Sequence, residues 1–132
     1  MKKLLFVAIL VSGVALTAFT VSNSPVAPQD KAKLEIGAPE DVTAILDRSC
    51  FGCHNDASQN EKSKAKLNFS KWNDLDNVKK IGALNEIAEV LQKGEMPPEK
   101  FLANYPDKKV SKEESELITK WVDEYAGTLM KD

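Results

Sequence analysis

Cys50-Phe51-Gly52-Cys53-His54 decides how this chain is read, because the stretch holds both cysteines and the only histidine among 132 residues. Two thiols three positions apart can each add to one vinyl group of a haem, and the adjacent imidazole then binds the iron from one face. C-x-x-C-H is the spacing of c-type haem attachment. The competing readings are chemically poorer. Zinc wants four ligands in a tetrahedron, and no further cysteine or histidine exists to complete one, so carboxylates or a second chain would have to contribute. A disulfide closing so short a loop constrains little of the unfolded chain. A catalytic dithiol usually accompanies a βαβ pattern, which the sequence lacks.

Upstream of this stretch, Met1-Lys2-Lys3 precedes the uncharged run Leu4 to Val21. A basic start followed by an apolar run reads as a secretory signal, residues 1–22, with Thr20 and Ser22 as the small residues before a cut. The run is 18 residues long, close to the roughly 20 that span a bilayer, so an uncleaved membrane tether through residues 4–21 is the alternative. Either way the remainder is expected outside the cytoplasm, periplasmic or otherwise exported, free or held at the outer face of the inner membrane. Haem attachment follows export, which suits these cysteines. Losing Lys2 and Lys3 with the signal takes the formal charge from -2 to -4, and a mildly acidic chain argues against nucleic acid as a partner. Residues 23–38, with Pro25 and Pro28 and no periodicity, read as a flexible linker. That leaves 39–132 for one small domain, near the low end for a self-sufficient core; a covalent haem would add a large apolar body.

Pro39, Glu40 and Asp41 suit a first helical turn, with proline near N1 and acids at the positive end of the dipole. Val42, Ile45, Leu46 and Ser49 follow at helical spacing and place the motif at that helix's C-terminal end. Asn55 to Lys66 is polar and charged, a surface loop by composition. Leu67, Phe69 and Trp72 then bring in apolar side chains, either as a loop tucked onto the core or as the wall of a haem pocket. A second helix is expected over Lys80 to Lys93, with Ile81, Leu84, Ile87, Ala88 and Leu91 on one face and Gly94 as its stop. A third has Ser111 as N-cap and Glu114 at N3, a capping box, and an apolar stripe of Leu117, Ile118, Trp121, Val122 and Tyr125. No strand and no internal repeat stands out. The expected class is all-α, with about three main helices packed around one haem.

Gly94-Glu95-Met96-Pro97-Pro98 is the second chemically loaded segment. With a single histidine, two imidazoles from one chain cannot bind the iron. Of three methionines, Met1 lies in the signal and Met130 in the last turn, which leaves Met96. The prolines fix φ and remove backbone donors, so the thioether sits in an extended loop and not in a continuing helix. Taken alone, Met96 would read as a flexible core filler; beside CxxCH it reads as the second axial ligand. A neutral sulfur is a poor donor to Fe(III), so histidine–methionine ligation raises the potential relative to two histidines. Filling both axial positions also closes the iron to dioxygen and peroxide, which favours electron transfer over catalysis.

The order helix, CxxCH, polar loop, helix, MPP loop and C-terminal aromatic helix resembles class I cytochromes c. More narrowly, Cys50-Phe-Gly-Cys-His54, Leu67-Asn-Phe-Ser-Lys-Trp72, Gly94-Glu-Met-Pro-Pro98 and Trp121 resemble the bacterial haem-binding domain family of small exported c-type proteins, over roughly Pro39 to Tyr125. The resemblance implies thioethers at Cys50 and Cys53, His54 as proximal and Met96 as distal iron ligand, one haem c, and a cytochrome c-like fold. Leu67, Phe69, Trp72 and Pro97 are the candidate pocket residues. The segment after His54 departs from the family pattern, being short and lysine-rich where members often carry a longer insertion with tryptophan and proline.

Two functions from different classes follow. The first is a one-electron carrier, not an enzyme and with no catalytic residue, that exchanges electrons with redox partner proteins. The alternative is a haem-based gas or redox sensor, or a peroxidase-like protein, in which Met96 dissociates. Trp121 and Tyr125 are expected to pack toward the first helix. Lys62, Lys64, Lys66, Lys71, Lys79 and Lys80 read as a solvated face or, if they ring the haem edge, as a steering field for an acidic partner.

Overall fold

The computed structural model describes residues 36–131. The expected signal and tether, and residues 23–35 of the expected linker, lie outside them. Five α-helices carry the domain: α1 (Glu40–Leu46), α2 (Glu61–Lys66), α3 (Asn77–Gln92), α4 (Glu99–Leu102) and α5 (Lys112–Leu129). No strand occurs among the described residues, so the domain is all-α, as the periodicities imply.

The two long helices form the frame. α3 and α5 pack along each other and α1 lies on α5. Leu84, Ile87 and Leu91 of α3 meet Ile118, Trp121 and Val122 of α5 in one buried cluster with Val42, Ile45 and Leu46 of α1. Each large aliphatic side chain so buried contributes about 1.5–3 kcal/mol relative to exposure. Ser111 accepts from the Glu114 amide at 3.2 Å while the Glu114 carboxylate accepts from the Ser111 amide at 2.9 Å, the reciprocal cap that the sequence predicts. α3 begins at Asn77, three residues before the expected Lys80, because Asp76 caps it by accepting from the Lys79 amide at 2.8 Å.

Three local features differ from the sequence expectation. The first helix is α-helical only to Leu46; residues Asp47–Phe51 continue as a π-helical turn, the wider winding that recurs at functional sites. The polar stretch after His54 is not loop throughout, since Asn60 accepts from the Ser63 amide at 3.1 Å and starts α2. Leu67–Trp72 is not a plain loop either: Asn68 accepts from the Ser70 amide at 3.1 Å and opens a 3₁₀ turn over Phe69–Asp74. In each of these two a short polar side chain replaces the missing backbone partner of a helix start, a signal that composition alone hides. After the prolines, α4 and a 3₁₀ turn over Pro106–Lys108 lead to α5.

The packed domain also starts earlier than Pro39. Ile36 is 1% exposed and belongs to the core, and Trp121 Nε1 donates to the Gly37 carbonyl at 3.3 Å. Trp121 and Tyr125 stack at 5.8 Å, so the aromatic end of α5 holds the strap that leads into α1. Gly37 has φ +72°, and a β-carbon there would lie 3.0–3.2 Å from the Tyr125 ring. Gly94 ends α3 with φ +67° but faces open space. Gly37→Val is therefore expected to cost roughly 2–4 kcal/mol through positive-φ strain and overpacking, whereas Gly94→Ala should cost only about 1 kcal/mol of backbone strain. Urea unfolding of the two variants checks this; equal losses would mean that Tyr125 does not close over Gly37.

Candidate haem-binding site

The motif turn is tied at both ends. The Cys53 and His54 amides donate to the Cys50 carbonyl, each at 3.1 Å, which curls the five residues into one turn. The His54 carbonyl accepts from the Phe69 amide at 2.9 Å. Phe69 is 5% exposed and its ring meets those of Phe51, His54 and Trp72 at 6.4–6.5 Å. One phenyl ring thus buttresses the whole motif.

His54 Nδ1 lies 3.0 Å from the Ser63 carbonyl and 3.0 Å from the Leu67 carbonyl. A carbonyl oxygen can only accept, so Nδ1 carries the proton. In the neutral ring Nε2 then keeps its lone pair. This is the arrangement by which a metal-ligating histidine is oriented and its basicity raised. The capped turn α2 exists, in effect, to bring the Ser63 carbonyl to this nitrogen.

Nε2 belongs to a residue that lines a cleft of about 410 Å³, together with Cys50, Leu67, Phe69 and Met96. α3 supplies a wall with Ala83, Glu86, Ile87 and Val90, one helical face. The volume falls within the range of cofactor sites, and so does a mostly apolar lining with a few polar groups. Of the residues singled out in the sequence, Cys50, His54, Leu67, Phe69 and Met96 come together here. Cys53, Trp72 and Pro97 do not line the cleft. Cys53 sits on the motif turn, Trp72 is 1% exposed inside the core behind Phe69, and Pro97 is buried behind the Met96 loop. For Trp72 and Pro97 the expectation of a pocket wall gives way to a packing role, because each ring is already covered by the chain's own side chains.

The cysteines are free thiols. Desolvation pushes the Cys50 thiol up to about 12, against the opposing pull of the Arg48 charge. Such a thiol is protonated at neutral pH, whereas a catalytic dithiol needs a depressed value. No cluster of metal-binding side chains occurs among the described residues. A haem fits this donor set: a histidine with a free Nε2, a thioether and a thiol on one apolar cleft. Trp72 Nε1 is the one buried side-chain donor among the described residues without a hydrogen-bond partner. An unsatisfied buried N–H costs about 1–3 kcal/mol, and because Trp72 lies behind Phe69 and off the cleft, that cost belongs to the packing of the core.

The charges around the cleft are not those of a lysine ring. Lys64, Lys71 and Lys79 pair with Glu61, Asp56 and Asp76 at 2.8, 3.8 and 3.2 Å. Lys66 alone among the six expected lysines lines the cleft, which Glu86, Glu89 and Glu95 also line. This pairing favours the solvated-face reading of the basic stretch.

Arg48, two residues before Cys50, was not singled out by the sequence. Its guanidinium donates to both Glu114 carboxylate oxygens at 2.8 Å and to the Lys109 carbonyl at 3.2 Å. The same carboxylate caps α5, so one side chain bolts the motif turn to the helix frame. Only the spacing of 66 residues hid this pair.

An all-α domain that presents such a donor set on one cleft is that of a haem protein. Residues 57–124 match the haem-binding domain family, and the chain belongs to it. The match covers the Leu67–Trp72 and Met96 segments and begins three residues after His54. No curated protein and no solved structure matches the chain.

The Arg48 hydrogen bonds hold the Glu114 carboxyl below its ordinary value of 4.5. A carboxyl lowered by folding adds stability above its unfolded value and loses it as pH falls through the folded one. Glu114 is 26% and Arg48 36% exposed, so solvent screening limits the loss in Glu114→Gln to about 1–2 kcal/mol at pH 7. Thermal melts of the two proteins should converge as the pH drops below about 4.5. A gap that persists unchanged in acid would show that charge is not what holds the pair.

Proposed function

We propose that this protein is an exported mono-haem c-type cytochrome that carries single electrons. Cys50 and Cys53 hold the haem through thioethers, and His54 and Met96 bind its iron. The observation that carries the reading is the locked imidazole: Nδ1 engaged by the Ser63 and Leu67 carbonyls, Nε2 left free, on a cleft shared with Cys50 and Met96.

When bound, the haem supplies an Fe(III)/Fe(II) couple. The chain's own residues set its terms. His54 offers a basic nitrogen whose orientation the two carbonyls fix. Met96 offers a neutral sulfur, which favours the reduced state relative to a second imidazole. Leu67, Phe69, Ile87 and Leu91 exclude water from the cleft, and the buried cluster behind them keeps the pocket's shape between the two charge states. His54 is engaged on both nitrogens in this reading, so the imidazole is not free to exchange a proton with a bound substrate. Electrons pass to and from redox partner proteins at the exposed edge. Export rests on the Met1–Val21 pattern, which also leaves a tether through residues 4–21 as the form in which the protein is held at the membrane.

Haem should stay on the chain through denaturing electrophoresis, and Cys50→Ala combined with Cys53→Ala should lose it. The oxidised protein should be low-spin with a methionine-to-iron charge-transfer band in the far red, and Met96→Ala should abolish that band. Haem that runs off the wild-type chain overturns covalent attachment. A band that survives in Met96→Ala overturns the ligand assignment.

A further inference from the structure

Met96 lines two cavities, not one. On one side is the cleft it shares with His54 and Cys50. On the other is a pocket of about 90 Å³ behind the loop, walled by Leu91, Pro97, Leu102, Val110 and Ser115. The side chain is 37% exposed, so neither cavity encloses it. The backbone around it is held: the Glu95 amide donates to the Val90 carbonyl at 2.9 Å, Pro97 is buried, and Pro97 and Pro98 fix their own φ. Movement therefore belongs to the side chain, which has three rotatable bonds. Water occupies about 30 Å³ per molecule in the liquid, so the rear pocket has room for about three heavy atoms. Beyond its Cβ, methionine has three: Cγ, Sδ and Cε.

We propose that Met96 has two seats, and that its retreat into the rear pocket opens the cleft as a binding site for a small neutral ligand, with carbon monoxide as the probe. The exchange breaks the iron–sulfur bond and forms one bond from the ligand's lone pair to the ferrous iron; no electron or proton changes place. Anions are disfavoured because Glu86 and Glu95 line the cleft against a single lysine, Lys66, while Glu89, also on the cleft, is paired with Lys93. This rests on the histidine–methionine reading above. It makes the Met96 side chain a gate on that centre without changing the electron-carrying role of the closed state.

The test uses the haem-loaded, reduced protein mixed with carbon monoxide. In the wild type the binding rate should level off as carbon monoxide rises, limited by departure of Met96. Ser115→Leu and Val110→Phe, which fill the rear pocket, should each slow that limiting rate several-fold, while Leu102→Ala, which enlarges it, should raise it. Ser115→Leu replaces a side chain that makes no hydrogen bond among the described residues, so it guards against a folding failure of Val110→Phe; melting curves identify any such failure. Met96→Ala should bind in proportion to carbon monoxide, with or without the filling substitutions. Equal limiting rates in the filled, enlarged and wild-type proteins overturn the rear seat, as does a wild type that binds no carbon monoxide at saturation. The charge-transfer band of the oxidised wild type separates the two claims. If it is present and the rates do not move, only the rear seat fails; if it is absent, the ligand assignment fails first.

Discussion

The rest of the site depends on the hydrogen bonds that fasten the CxxCH turn to the segment just after it. His54 gives its Nδ1 proton to the Ser63 and Leu67 carbonyls, and its own carbonyl accepts from the Phe69 amide. A histidine at the end of a helix is otherwise free to turn on its two side-chain torsions. Here two oxygens that can only accept decide its tautomer and aim. Every later property, from which nitrogen meets a metal to which side of the turn faces the cleft, follows from that constraint.

Holding three oxygens and one amide in register needs a platform, and the fold provides it in layers. Asn60 and Asn68 start the two short turns that bracket Leu67. Asp56 braces the second of them, accepting from the Asn68 side-chain amide at 2.7 Å. Phe69 fills the space beneath, and Trp72 backs it. On the other flank Arg48 is clamped to Glu114, whose carboxylate at the same time caps α5. Charge-assisted, two-pronged pairs are the stronger kind, and this one joins residues far apart in the chain. The π-helical turn lies between these two anchorages, so the extra width of the winding is held from both sides.

Family membership establishes a haem-binding protein, while attachment chemistry and ligation rest on the residues themselves. The CxxCH residues are a separate line of argument, because the matched residues start beyond His54, whereas Met96 lies inside the match. The charge pattern bears on partners. Three lysines that look available in sequence are each paired with a nearby carboxylate, and the cleft carries Glu86, Glu89 and Glu95 against one lysine, Lys66. Pairing at the surface is worth little energy, but it removes the positive field that the basic stretch would otherwise project.

By itself the sequence determined the elements that depend on neighbours three or four residues apart. The all-α class, the long helices α3 and α5, the Ser111–Glu114 box and the Gly94 stop are local, and so is the CxxCH motif, since the chemistry of attachment needs only that spacing. That Met96 is the methionine to look for beside the motif was also legible, by elimination among three methionines, and it lines the cleft with His54. Only the tertiary structure decided that Trp72 and Pro97 are packed away while Ala83, Glu86 and Ile87 face the cleft, that Ile36 belongs to the core, and that Arg48 reaches Glu114. The polar caps at Asn60, Asn68 and Asp76 fell between the two: they are local, yet an asparagine or aspartate in a polar stretch looks alike in a loop and at a helix start. The physical reason for the division is range. Helical periodicity and capping are short-range consequences of backbone hydrogen bonding, whereas the wall of a cleft is chosen by which faces meet when distant helices pack, and that depends on the shape of every side chain between them.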